Sequence, residues 1–211
     1  MLSLLLPTGS SARPAGVAGS ALWLDCRVTC EDGVVRLDVV TLQVAFGVIA
    51  LTLLVLFYGV SVRRSHSTYS KWWCAAIACF LTGTGLYLLD GTDHQVWANP
   101  AGNALLVAGS TCVWAGARVL RTAAPRPWQL LAAPAFTAIA SALDDPATNT
   151  WSAGGTLLGC MTFFIGLASI ETWRIDPGIT TAQRPLAIAS GVLGLYYLGR
   201  WLAFLAAGPD S

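Results

Sequence analysis

The feature that most constrains this chain is Val39–Val60, a run of 22 residues (VVTLQVAFGVIALTLLVLFYGV) without one charged side chain. A helix needs about 20 mainly apolar residues to cross a hydrocarbon core of about 30 Å. Lipid gives backbone N–H and C=O groups no outside partner, so such a segment must satisfy them within its own helix. Five more stretches fit the same criterion: Trp72–Leu89, Asn103–Leu120, Trp128–Leu143, Thr150–Thr172 and Leu186–Ala207. The fourth span, Trp128–Leu143, is the shortest and contains Pro134, whose kink neighbouring helices can accommodate. The expected fold is an all-α polytopic membrane bundle of six helices over residues 38–207. Residues 1–37 read as a loose extracellular tail or a gene-start artefact, and residues 208–211 as a short tail.

Composition supports this class and excludes others. Of the 211 residues, 55% are hydrophobic and 11% charged, where a soluble domain carries roughly 25% charged residues. Twelve Lys+Arg against eleven Asp+Glu leave +1 overall, which excludes a basic nucleic-acid binder. A disordered chain would be far poorer in apolar residues. Cys74, Cys79, Cys112 and Cys160 lie in apolar runs, where a thiol behaves as a small hydrophobe. Cys26 and Cys30 lack the second pair a zinc site needs. No metal or cofactor is expected.

The charges sit in alternate connections. Arg63, Arg64 and Lys71 separate spans one and two. Arg118, Arg121 and Arg126 flank the junction of three and four, and Arg174 and Arg184 separate five and six. The intervening loops hold Asp90 with Asp93, then Asp144 with Asp145, and no Lys or Arg. Excess Lys/Arg marks cytoplasmic loops, so both termini are expected outside, in a bacterial cytoplasmic membrane.

Few residues are candidates for chemistry. There is no Walker loop, G-x-S-x-G or H-E-x-x-H, and no nucleophile–base pair or metal set for an intramembrane enzyme. Arg200 lies two-thirds along the sixth span, where a charge costs a few kcal/mol on insertion scales. Two readings stand: pairing with Asp90 at the outer end of span two, or snorkelling to the outer headgroups beside the anchor Trp201. Asp90, Asp93, His94 and Trp97 make an outer loop that either lines a ligand pocket or forms a solvated turn. Glu171 and Arg118 fall at inner ends and are expected to pair with neighbouring charges. Gly155, Gly159 and Gly166 give span five a smooth face. Ala108, Cys112 and Gly116 do the same in span three, as do Ala187, Gly191 and Leu195 or Gly194 in span six. Such faces allow close packing within the chain or across a homodimer. Trp72, Trp73, Trp97, Trp128, Trp151, Trp173 and Trp201 lie near span ends and read as an aromatic belt.

Several of these residues form a familiar arrangement: Asp38-Val-Val-Thr-Leu, then Arg63-Arg64, Trp72-Trp73 and Asp90. Asn103-Ala-Leu-Leu-Val-Ala-Gly, Trp114-Ala-Gly-Ala-Arg118-Val-Leu-Arg121, Arg184 and Arg200 follow. Over residues 38–205 the chain resembles the N-terminal multi-helix sensor region of bacterial membrane diguanylate cyclases. The resemblance implies a dimeric sensory module controlling synthesis of cyclic di-GMP. GGDEF and EAL signatures are absent from the sequence, so any such activity would require a cytoplasmic partner or a missing C-terminal domain. A small transporter or permease subunit is the alternative, with Pro134 as its helix break.

Overall fold

The computed structural model describes residues 39–59, 67–121, 125–146, 149, 152–175 and 183–207. The expectations for the N-terminal tail, Cys26, Cys30, Arg63, Arg64, His66, Trp151 and the last four residues lie outside these. Among the described residues every regular element is helical: α1 (Val39–Phe57), α2 (Thr68–Leu86, continued by a 3-10 turn at Tyr87–Leu89), α3 (Gln95–Arg121), α4 (Pro127–Leu143), α5 (Gly154–Trp173) and α6 (Gln183–Ala207). Four stretches are long and apolar enough to cross a membrane: Thr68–Leu89, Gln95–Arg121, Gly154–Trp173 and Arg184–Ala206. Gly47–Leu56 and Pro127–Leu143 are shorter apolar helices.

At 27 residues and 1.5 Å rise per residue, α3 is about 40 Å long and forms the hub. It packs against α2, α4 and α5, while α6 packs on α5 and α1 leans on α2. Ala76, Val113, Trp114, Ala117, Phe164 and Ala168 form a core shared by α2, α3 and α5. The outward faces are apolar as well: Val48, Leu53 and Val55 on α1, Leu131, Phe136 and Ile139 on α4, and Val192, Leu195 and Leu202 on α6 are exposed. Apolar surface on this scale belongs against lipid or another chain.

The α2–α3 interface follows a seven-residue period. A side chain added at Gly116 would meet Trp73, one at Gly109 would meet Phe80, and one at Gly102 would approach Tyr87. Three aromatic residues seven apart on α2 and its 3-10 extension thus fill three glycine notches seven apart on the antiparallel α3. Toward the start of α3 the backbones nearly touch: a Cβ at Gly83 would lie 3.1 Å from the Gly102 carbonyl oxygen. Glycine permits an approach that any side chain would hold off. The expected packing face, Ala108 and Cys112 with Gly116, is therefore replaced by Gly102, Gly109 and Gly116; Ala108 and Cys112 are only half-buried.

The α5–α6 interface is antiparallel too. Phe204 lies over Gly155, Trp201 over Gly159 and Ser169 against Gly191, while Gly194 faces the backbone of Gly166. Ser169 donates to the Ala187 carbonyl at 2.8 Å, tying the end of α5 to the start of α6. Leu195, the other option to Gly194 on this face, points outward instead. Trp201 lies over Gly159 rather than serving as a free interfacial anchor, and Trp72 and Trp73 pack toward Gly116. Trp97, Trp128 and Trp173 are exposed.

Pro134 does not break α4. Proline removes the donor that would serve the carbonyl four residues earlier, which here is Leu130. The Thr111 hydroxyl on α3 lies 3.4 Å from that oxygen while also donating to Ala108 at 2.8 Å. The helix runs on to Leu143, with Pro134, Thr137 and Ser141 on its buried face.

Candidate functional site

The charges segregate by end. Arg118 and Arg121 close α3, Arg126 precedes α4, and Arg174 follows α5. Asp90 and Asp93 precede α3, and Asp144 and Asp145 follow α4, at the opposite end. Each end holds a polar cluster organised by α3.

At the acidic end α3 begins eight residues before the expected start at Asn103, with Gln95 as its first residue. The added turns carry Gln95 and Asn99, at four-residue spacing with Asn103, and all three are buried. Their polarity lowers local hydropathy, so an apolar window begins too late. Side chains spaced by four share one face of a helix, and this face points inward.

Asn103 is the centre. Its Oδ1 accepts a hydrogen bond from the Tyr87 hydroxyl. Its Nδ2 lies 3.0 Å from Asn99 Oδ1, 2.9 Å from Ser141 Oγ and 2.9 Å from the Ser152 carbonyl. Two amide hydrogens therefore serve three acceptors. Ser141 and Ser152 hydroxyls are 2.7 Å apart, and both residues are fully enclosed. One asparagine thus joins the end of α2, the inner face of α4 and the loop before α5.

Gln95 ties the same end from above. Its Oε1 accepts from the Gly91 N–H at 2.8 Å, and its Nε2 donates to the Pro146 carbonyl at 3.0 Å. Both loops at this end are thereby held by one side chain. The second loop carries backbone strain: Asp145 and Ala153 have φ of 42° and 54°. Left-handed backbone costs a non-glycine residue roughly 1–2 kcal/mol. Asp144 offsets part of this by accepting from the Ala153 N–H at 2.7 Å. The strained turn aims the Ser152 carbonyl at Asn103.

The residues singled out from sequence are placed differently. Asp90 ends the 3-10 turn; its Oδ1 is buried without a hydrogen-bond partner, and burial pushes its carboxyl above its ordinary range. Asp93, His94 and Trp97 are exposed, and the rings of His94 and Trp97 lie 6.1 Å apart. Arg200 lies 6.0 Å from the Tyr196 ring, on a helix that packs against α5 rather than α2. The expected Arg200–Asp90 pair is not among the described contacts: α6 packs on α5, whereas Asp90 follows α2, which packs against α1 and α3. Among the described residues no group of three or more His, Cys, Asp or Glu is arranged to hold a metal ion.

At the basic end, Arg121 Nε lies 2.8 Å from Glu171 Oε2 and joins α3 to α5. That oxygen accepts no well-directed hydrogen bond, so the attraction is chiefly Coulombic. The Arg118 guanidinium lies 5.2 Å from the centre of the Trp114 ring, within cation–π range. Glu171 is thus paired with Arg121, a helix-to-helix contact rather than one to a loop charge.

Compared with protein-family models, curated proteins and solved structures, the chain matches none of them.

Proposed function

We propose that this chain is a six-span integral membrane input module in which α3 links an outer polar cluster to an inner ion pair. The observation that carries the reading is the buried Asn103 network. Polar groups at membrane depth are expensive to keep and are by default functional. This network couples three elements at one end of α3, whose other end is fixed to α5 by Arg121 and Glu171. A signal at the outer loops that alters the network would bias how α3 packs, and with it the inner ends of α3 and α5.

In this reading α1 and α4 also cross the bilayer, and the basic end faces the cytoplasm. Reporter fusions at Asn149 and Arg174 test the orientation: activity of a cytoplasm-specific reporter is expected at Arg174 and not at Asn149. The lipid bilayer is the immediate partner, with a second copy or a cytoplasmic signalling protein as the recipient. The sequence resemblance suggests cyclic di-GMP synthesis as the output, supplied by that recipient. Expression in a bacterial host, with cellular cyclic di-GMP measured, tests this. A shift caused by the native chain and lost in Asn103→Ala and Arg121→Gln supports the reading; no shift from correctly inserted protein refutes the cyclic di-GMP link. The transport alternative is less well supported, since α4 stays continuous through Pro134.

A further inference from the structure

We propose that the basic end of the bundle is a docking surface for anionic phospholipid headgroups, held by Lys71, Arg118 and Arg126. Helix register sets these three cations at one depth. Lys71 stands two residues before Trp73 on α2, and Arg118 two residues after Gly116 on α3. Trp73 fills the Gly116 notch, so the antiparallel pair places both cations level. On α4, the Leu130 carbonyl faces Thr111 and Ser141 faces Asn103. Extending that register to the head of α4 places Arg126 level with the turn 115–118. Arg121, Arg174 and Arg184 lie at the same end, closing α3, following α5 and near the start of α6. Among the described residues the one acid at this end is Glu171, and Arg121 engages it. Asp176, the next acid in the sequence, lies outside the described residues.

Depth and chemistry select the partner. From Gln95 to Arg118, α3 rises about 34 Å at 1.5 Å per residue, enough to put a hydrocarbon core of about 30 Å between them. The three cations then stand at headgroup level. Trp128 and Trp173 are exposed near the same end, where tryptophan rings anchor at a membrane–water interface. The cations come from three helices at one depth rather than from one loop, and a layer of headgroups meets such an arrangement at every point. A phosphodiester offers arginine a charge-assisted, bidentate acceptor. In a zwitterionic lipid the headgroup's own ammonium offsets that charge, whereas phosphatidylglycerol keeps a net negative charge. The loops at the opposite end hold Asp90, Asp93, Asp144 and Asp145 and no Lys or Arg, so the preference belongs to one leaflet. It presupposes the membrane-spanning bundle but not the signalling output proposed above.

The test uses the full chain purified in dodecyl maltoside and incubated with equal amounts of dioleoyl phosphatidylglycerol and dioleoyl phosphatidylcholine. Lipid that co-elutes with the protein on gel filtration is extracted and quantified by mass spectrometry. One basic residue near an anionic surface contributes about fivefold in affinity, so the native chain should retain phosphatidylglycerol in at least about fivefold excess. Arg126→Gln should lower that excess several-fold, and Arg126→Lys should keep most of it. Lys71→Gln, Arg118→Gln and Arg126→Gln combined should bring the two lipids close to parity. Arg200→Gln removes a charge away from this end and should leave the excess unchanged; an equal loss there would overturn the assignment to these residues. Equal retention of the two lipids by the native chain would overturn the proposal and leave the surface to an acidic protein. Displacement of the lipid by excess inorganic phosphate would also overturn it, because a free anion would then suffice. A chain recovered in the soluble fraction without detergent would overturn the membrane reading itself. The native ratio decides even where a variant fails to fold.

Discussion

Replacing Asn103 by alanine should be among the most destabilising single changes in this bundle. The substitution removes hydrogen bonds to the Tyr87 hydroxyl, the Ser141 hydroxyl and the Ser152 carbonyl, each on a different element, and one to Asn99 within α3. Interhelical hydrogen bonds in membrane proteins average about 0.6 kcal/mol and reach about 1.7, so three of them represent about 2–5 kcal/mol. Groups left buried and unpaired add to this, at about 1–3 kcal/mol for each that finds no substitute. Ser141 and Ser152 still have one another at 2.7 Å, which keeps the sum to about 3–5 kcal/mol. Reversible unfolding in mixed micelles titrated with dodecyl sulfate measures the loss. A double-mutant cycle with Ser141→Ala should show coupling of at least about 0.5 kcal/mol. A loss below about 1 kcal/mol, with additive single effects, would falsify the view that Asn103 organises this end.

Four other outcomes follow from the packing and charge described above. Gly109→Ala should cost about 1–3 kcal/mol, since its Cβ would sit 2.8 Å from the Phe80 ring. Gly166→Ala, whose Cβ meets nothing within 4 Å, should be neutral or stabilising by up to about 1 kcal/mol through helix propensity; thermal melts in detergent compare the two. Thr111→Val should cost less in a Pro134→Ala background, where the residue-134 N–H again serves the Leu130 carbonyl; equal costs in both backgrounds contradict the proposed compensation. Arg121→Gln should destabilise more than Glu171→Gln, because Glu171 is the more enclosed partner, its side chain 16% exposed against 35%; the reverse order counts against that pairing. Burial raises the Asp90 carboxyl above its ordinary value, so the folded state binds this proton more tightly than the unfolded chain. Stability should therefore rise as pH falls from neutral toward about 4, the ordinary carboxylate value. In Asp90→Asn that part of the slope should vanish.

Much of the helical layout was legible in the sequence, because uncharged runs bounded by charges admit few alternatives in lipid. The α5–α6 contact residues Gly155, Gly159 and Gly191 were visible as small-residue spacings, and Phe204 and Trp201 now fill the opposing side. The polar end of α3 was not legible. A hydropathy window leaves Gln95 and Asn99 outside the span that opens at Asn103, whereas the bundle buries all three and pairs them internally. Their four-residue spacing was the available signal. The aromatic–glycine period across Trp73, Phe80, Tyr87 and Gly116, Gly109, Gly102 was also present, but recognising it requires reading two spans together. Arg200 drew attention as a deep charge, yet which acid lies near it depends on helix order in space, which charge counting does not supply.

The central proposal is that α3 couples the polar cluster at its acidic end to the ion pair at its basic end. Hydrogen–deuterium exchange of the full chain in nanodiscs tests it most directly, comparing Asn103→Ala with a variant of matched stability loss at the α5–α6 interface, such as Gly155→Leu. The account predicts that Asn103→Ala selectively speeds exchange at residues 118–121 and 170–175, by several-fold over the matched variant. Equal exchange at those inner ends in the two variants would contradict it.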